Sequence, residues 1–99
     1  MVHNYDSISI HYWMINKLKL EGLELLVYAW VFKNASCYFV EWAFIAESIP
    51  LFEGILNRRV TCEMLTQAIK KLDDNELVIA YEDETRIRLN HAVLKEILR

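Results

Sequence analysis

The stretch from residue 57 to residue 90 constrains the fold most, because two kinds of apolar periodicity follow one another there. Over 58–74 the apolar residues recur at helical spacing, which predicts a single amphipathic helix. Two short alternating segments, 77–81 and 86–89, then predict a β-hairpin around an acidic turn. The inner face of the predicted helix comprises Met64, Leu65, Ala68, Ile69 and Leu72.

Capping residues flank this helix, and polar residues cover its outer side. Asn57 suits the N-cap position, whereas Thr61 would suit a later start. Asn75 follows the helix and is a residue type that tolerates the left-handed conformation common at helix ends. The outer positions carry Arg58, Arg59, Glu63, Thr66, Gln67, Lys70 and Lys71.

The composition limits the number of domains and the class of fold. The chain has 99 residues, 55% of them apolar, with two glycines and one proline. A chain this short rarely holds two cores, and the low glycine and proline content favours helix. We therefore predict one mainly α-helical domain over 1–99, with a small hairpin. The net charge of −3 lacks the basic excess of most nucleic-acid binders, so any attraction to phosphate requires a local patch.

Three further helices are predicted before residue 58. Apolar spacing indicates helices over 12–18, 22–33 and 39–49. The second is apolar nearly all round, so it must be buried on more than one side. Pro50 is expected to end the third helix, because a residue that precedes proline disfavours helical geometry, and 50–56 then becomes a connection.

The two ends of the chain predict smaller elements. Residues 7–10 alternate between polar and apolar, which predicts a short edge strand that pairs with the hairpin. Residues 91–98 predict a final short helix, for which Asn90 would be the N-cap.

The order strand, helix, helix, helix, hairpin, helix resembles the winged-helix superfamily. The resemblance is to small prokaryotic and phage regulators and to the N-terminal domains of phage or plasmid replication-initiation proteins. The best-matched segments are EGLELLVYAWVFKN and LTQAIKKLDDNELV. The chain departs from the family pattern at Asn75, where glycine is usual, and at Glu82, Asp83 and Glu84, where basic or small residues are usual.

This resemblance implies a protein that binds duplex DNA through its third helix, in transcriptional or replication control, for example of a phage or mobile element. In such proteins, exposed residues near the start of that helix contact base edges and flanking basic residues contact phosphates. From Asn57 to Leu72 there are four basic residues and one acidic residue, Glu63, which gives this segment a local charge of +3. The alternative interpretation is an ordinary solvated helix face. The implied DNA-binding positions are Arg58, Arg59, Thr61, Cys62, Glu63, Thr66, Gln67 and Lys70, with Lys71 as a further cation.

An acidic segment supports a different function. Residues 73–85 carry six acids and no base, so a turn laid along a phosphate strand would be repelled. A functional interpretation is an interaction module, an adaptor or inhibitor with a protein partner at its acidic wing, or a surface that mimics DNA. A plain solvated turn is the preferred interpretation of the segment, because runs of charge are commonly exposed and without a partner.

Aromatic residues concentrate in the first half of the chain, with eleven of the twelve at or before Phe52. Stacking on single-stranded bases needs basic neighbours, and only Lys17, Lys19 and Lys33 lie nearby in the sequence. A core together with a homodimer interface is the favoured explanation, since interfaces are enriched in aromatics. The apolar strip Val93, Leu94, Ile97 and Leu98 is a second candidate for dimer contact.

The sequence carries no signature of catalysis, cofactor binding or metal binding. His3, His11 and His91 lie far apart, and Cys37 and Cys62 have neither disulfide-framework nor zinc-site spacing. With no glycine-rich phosphate loop or nucleophile motif, we predict a protein that is not an enzyme and has no cofactor. The lack of a signal peptide or a membrane-spanning run predicts a cytoplasmic protein that has no membrane partner.

Overall fold

Six helices and three short strands make up the computed structural model, which describes residues 8–35, 39–81 and 86–98. The predicted fold class is thus confirmed at the coarse level: the described chain is mainly helical and carries a small antiparallel sheet. In chain order the elements are α1 (Tyr12–Asn16), α2 (Gly22–Asn34), β1 (Val40–Glu41), α3 (Trp42–Ala46), α4 (Ile49–Leu56), α5 (Cys62–Asp74), β2 (Val78–Tyr81), β3 (Arg86–Leu89) and α6 (His91–Ile97).

The three strands form one antiparallel sheet in the order β1-β3-β2. The predicted hairpin is confirmed, with Ala80 opposite Ile87 and Tyr81 opposite Arg86. Strand alternation buries Ile87 and Leu89 against the core, as the sequence predicts. β2 lies at the edge of the sheet, where the backbone N–H of Ala80 donates to Asp73 Oδ1 of α5 at 3.3 Å.

α2 lies at the centre of the molecule. The prediction that this helix is buried on more than one side is confirmed, because seven consecutive or near-consecutive side chains are shielded from solvent. Trp30 is 0% exposed, and its Nε1 donates to Ser48 Oγ at 2.8 Å, which joins α2 to the start of α4. The buried residues of α2 are Leu23, Leu26, Val27, Tyr28, Ala29, Trp30 and Val31.

α5 packs against the core with the face that its sequence predicts. Leu65, Ala68, Ile69 and Leu72 are buried, and Met64 is partly buried. The helix begins at Cys62 rather than at residue 58, because Thr61 is its N-cap and accepts a hydrogen bond from Met64 N at 3.1 Å.

α5 ends at Asp74, as predicted, but the left-handed residue that follows it lies one position later than expected. Asn75 keeps a negative φ of −88°, and the left-handed residue is Glu76, with a φ of +62°. Leu77 N bonds to Leu72 O and Glu76 N bonds to Asp73 O, the pattern in which the residue after the helix cap turns left-handed. Asn75 instead caps with its side chain, since Nδ2 donates to Lys71 O at 2.9 Å.

The segment from residue 39 to residue 56 was wrongly predicted. A strand, Val40–Glu41, and a short helix, Trp42–Ala46, replace the predicted helix over 39–49. Pro50 does not end a helix. It lies in the first turn of α4, where a missing N–H removes no helical hydrogen bond.

The two ends of the described chain give mixed outcomes. Residues 8–10 form no strand, and Ser7 lies outside the described residues, so β1 rather than the predicted 7–10 strand pairs with the hairpin. The final helix is confirmed over His91–Ile97. Asn90 occupies the N-cap position, as predicted, but its side chain makes no capping hydrogen bond, and its Nδ2 donates to Glu76 O at 2.8 Å.

Tyr28 makes the stability of this core sensitive to alkaline pH. Tyr28 is 1% exposed, and burial raises the pKa of its phenol from 10.0 to about 12. Between these values the unfolded chain binds fewer protons than the native state, so the free energy of unfolding falls as pH rises. At about 1.4 kcal/mol per pKa unit, the loss reaches roughly 2 kcal/mol near pH 12, and this residue contributes no loss well below pH 10.

We expect Tyr28→Phe to remove this contribution. Urea unfolding of both proteins from about pH 9 to about pH 11.5 measures it, because the other titrating groups are common to the two chains. The wild-type chain should lose more stability over this range than the variant. Parallel pH profiles would contradict the assignment to Tyr28.

Candidate nucleic-acid interface

A five-residue turn, 57–61, joins α4 to α5 and presents two arginines. Asn57 takes the left-handed conformation with a φ of +53°, so it ends α4 and is not the N-cap of the next helix. Glu53 holds the turn through both of its acceptor groups, because its backbone O accepts from Arg58 N at 3.3 Å and its Oε2 accepts from Val60 N at 2.9 Å.

The fixed backbone of this turn leaves Arg58 and Arg59 exposed to solvent. Val60 is 4% exposed and packs into the core between the arginines and the helix. Arg58 and Arg59 therefore precede α5 and do not belong to it, which corrects the sequence prediction. Both arginines lie in the turn immediately before α5.

The outer face of α5 carries the other predicted contact residues. Thr61, Cys62, Glu63, Thr66, Gln67 and Lys70 are all exposed, as expected. Glu63 lies two residues from buried Leu65, which is about 200° around the helix axis, so it points directly away from the core. The Thr66 hydroxyl donates to Cys62 O at 2.9 Å, so its donor is already used within the helix.

Lys71 lies one turn after Gln67, on the side of α5 that is near α2. Its Nζ is 3.5 Å from Glu24 Oε2 of α2, and the lysine side chain remains 67% exposed. An exposed ion pair of this kind contributes little to stability, but it places the lysine charge beside a carboxylate. Lys71 is therefore paired with α2, and together with Arg58 and Gln67 it lines a cleft between α2 and α5.

The local positive charge lies mainly in the turn before α5 and not on the helix itself. The helix from Cys62 to Asp74 contains two lysines against Glu63, Asp73 and Asp74, so it is not basic by itself. The positive charge near its N-terminus comes from Arg58 and Arg59 in the turn. We use the name basic turn for residues 57–61. The predicted charge of +3 was counted along the sequence and does not describe one patch.

The outer face of the hairpin presents an aromatic and cationic cluster that sequence reasoning missed. Phe39 and Tyr81 lie with ring centroids 4.8 Å apart. The Arg88 guanidinium carbon lies 5.0 Å from the Phe39 centroid, and that of Arg86 lies at 5.9 Å. Alternation along β3 placed both arginines on one face, but no sequence signal connected them with Phe39, which lies before β1. The predicted acidic tip, residues 82–84, lies outside the described residues.

Other classes of site find little support in the described residues. Over 8–35, 39–81 and 86–98, no group of three or more His, Cys, Asp or Glu side chains is placed to hold a metal ion. Among the helices of the same residues, none is both long and apolar enough to cross a bilayer. Comparisons with protein-family models, with curated proteins and with solved structures give no match to this chain.

Proposed function

We propose that this protein is a winged-helix protein that binds duplex DNA, in transcriptional or replication control. The observation that carries the proposal is the basic turn, which exposes Arg58 and Arg59 directly before the exposed polar face of α5. Two adjacent cations and a row of hydrogen-bonding side chains are complementary to a phosphate strand and to the base edges beside it.

The arrangement of elements is compatible with this family. Helices α2, α4 and α5 precede the hairpin of β2 and β3, and β1 adds a third strand to it. In the proposed complex α5 enters the major groove, which is wide enough for one helix. The turn before α5 then lies over the phosphate backbone.

The net charge of −3 does not oppose this proposal at physiological salt. At about 0.15 M ionic strength the Debye length is about 8 Å, so a phosphate senses nearby side chains far more than distant ones. Arg58 and Arg59 then dominate the field at the start of α5, although the net charge predicts weak attraction over long distances. Binding should consequently be moderate in strength and strongly dependent on salt.

The first test is the binding of the purified protein to a labelled random-sequence duplex, measured by fluorescence anisotropy at low and at physiological salt. We expect binding that weakens linearly in log–log form as salt rises, because bound counterions are released from the DNA. The matching single strand is the control, since a base-stacking mode would favour the single strand over the duplex. No duplex binding even at low salt would contradict the proposed function.

One observation favours the alternative function, a protein-interaction module. Tyr12 is 77% exposed, Ile15 is 47% exposed and Leu98 is 43% exposed, and DNA binding through α5 explains none of them. Lys17 Nζ donates to Ile97 O at 3.3 Å, so the helices that bear these residues lie near each other. The homodimer and the partner at the acidic wing both stay predictions. No catalytic role is proposed.

A further inference from the structure

We infer that Glu63 and Gln67 determine the DNA sequence that this protein binds, with Glu63 selecting cytosine and Gln67 selecting adenine. This inference rests on the proposed function. It goes beyond it by naming the bases and the two side chains that distinguish them.

Glu63 and Gln67 lie on the outermost line of α5. They are four residues apart, so they project from nearly the same side of the helix on successive turns, about 6 Å apart along its axis. Both are exposed, while Leu65 and Leu72 on the opposite side are 0% exposed. A helix that docks on its outer face therefore places these two side chains deepest in the groove.

The polar groups of both side chains are unpaired within the described residues. Within residues 8–35, 39–81 and 86–98, neither Glu63 nor Gln67 makes a side-chain hydrogen bond or an ion pair with another described residue. Thr66, in contrast, already donates its hydroxyl proton to Cys62 O. The polar groups of Glu63 and Gln67 are therefore free to bind base edges.

The carboxylate of Glu63 restricts the base that it can face. A carboxylate offers only acceptors, and in the major groove guanine presents acceptors at O6 and N7 and thymine presents an acceptor at O4. Adenine places its N7 acceptor beside its N6 donor, so one carboxylate oxygen would face another acceptor. Cytosine presents its N4 amino group, which can donate a hydrogen bond to the carboxylate without this conflict.

Gln67 has a different complement of groups. Its amide offers both a donor and an acceptor, which match N7 and N6 of adenine in a bidentate pair. Base pairs are stacked at about 3.4 Å, so side chains about 6 Å apart reach base pairs within about two steps of each other. The expected site thus contains a cytosine and an adenine close together, flanked by phosphates that Arg58 and Arg59 contact.

The test is selection of bound duplexes from a random library by the wild-type chain and by Glu63→Gln, Gln67→Ala and Glu96→Gln. Duplexes selected by the wild-type chain should contain the cytosine and the adenine. In affinity measurements, replacing either base should weaken binding by about 5- to 150-fold. Glu63→Gln should lose the cytosine and gain adenine at that position, since an amide replaces the carboxylate. Gln67→Ala should relax only the adenine position.

Glu96→Gln is the matched control, because Glu96 is exposed on α6 and its change removes the same charge outside the proposed surface. It should select the wild-type sequence, and thermal unfolding should show that all variants are folded. If the wild-type chain and Glu63→Gln select the same DNA sequence, this inference is wrong, although the proposed function still stands. Failure of the wild-type chain to retain any duplex would remove both.

Discussion

Replacing Arg58 and Arg59 together with Ala is expected to lower the affinity for duplex DNA about 10- to 100-fold at ~0.1 M salt. Each arginine that neutralises a phosphate releases about one counterion, so the slope of log K against log salt should fall by about 2. Fluorescence anisotropy over a salt series measures both quantities. The loss should be similar for different DNA sequences, because phosphate contacts carry no base information.

The fold should survive this double change. Glu53 holds the backbone of the basic turn through Arg58 N and Val60 N, so neither guanidinium is required for its shape. The control is Lys33→Ala with Lys95→Ala, which removes two exposed cations from α2 and α6. Control and double variant have equal net charge. If both bind with the same affinity and salt slope, the basic turn is not the contact surface.

Replacing Trp30 with Ala is expected to reduce the free energy of unfolding by about 3–5 kcal/mol. The side chain is 0% exposed, so its removal leaves a cavity between α2 and the start of α4. It also removes the hydrogen bond that Trp30 Nε1 donates to Ser48 Oγ at 2.8 Å. Since domains are commonly stable by about 5–15 kcal/mol, this variant should be close to unfolding.

Urea unfolding followed by far-UV circular dichroism measures this effect without using tryptophan fluorescence. Trp30→Phe should reduce the free energy of unfolding less, because an aromatic ring still fills most of the space. The loss of the hydrogen bond should remain, at a cost of about 1–3 kcal/mol. Tyr12→Ala is the control for loss of an aromatic ring, since Tyr12 is 77% exposed. A Trp30→Ala cost no larger than that of Tyr12→Ala would contradict the central position of this side chain.

The elements that the sequence predicts well are those whose pattern is local and long. α5 has a full apolar stripe, and α2 has an apolar surface on all sides, so neither needs information from elsewhere in the chain. β1 is two residues long, and its pairing with β3 joins Val40 to Ile87. Periodicity cannot appear in two residues, and the partner is distant in sequence, so this strand was missed.

Pro50 was misinterpreted because proline has two opposite meanings at a helix boundary. It disfavours helical geometry in the residue before it, yet it is also favoured in the first turn of a helix. Ser48, two residues earlier, is the N-cap position of α4, and this Ser-x-Pro pattern was the available signal. The same error hid the helix that precedes the basic turn.

The exposure of individual residues on α5 was predicted more accurately than their arrangement. Periodicity alone indicates that Thr66, Gln67 and Lys70 are exposed. Periodicity cannot indicate that Glu53 stabilises the turn, because the hydrogen bond from Val60 N to Glu53 Oε2 depends on the left-handed conformation of Asn57. The pairing of Lys71 with Glu24 likewise depends on how α2 and α5 pack.

The hydrogen bond from Ala80 N to Asp73 Oδ1 bears on how the protein behaves at high concentration. β2 is an edge strand, and an edge strand with open N–H groups can act as a template for a strand from another molecule. Here a carboxylate of the molecule's own helix occupies one of those donors and places a negative charge beside the edge. Asp73 consequently opposes edge-to-edge pairing of strands between molecules, the kind of contact from which aggregates and fibrils grow.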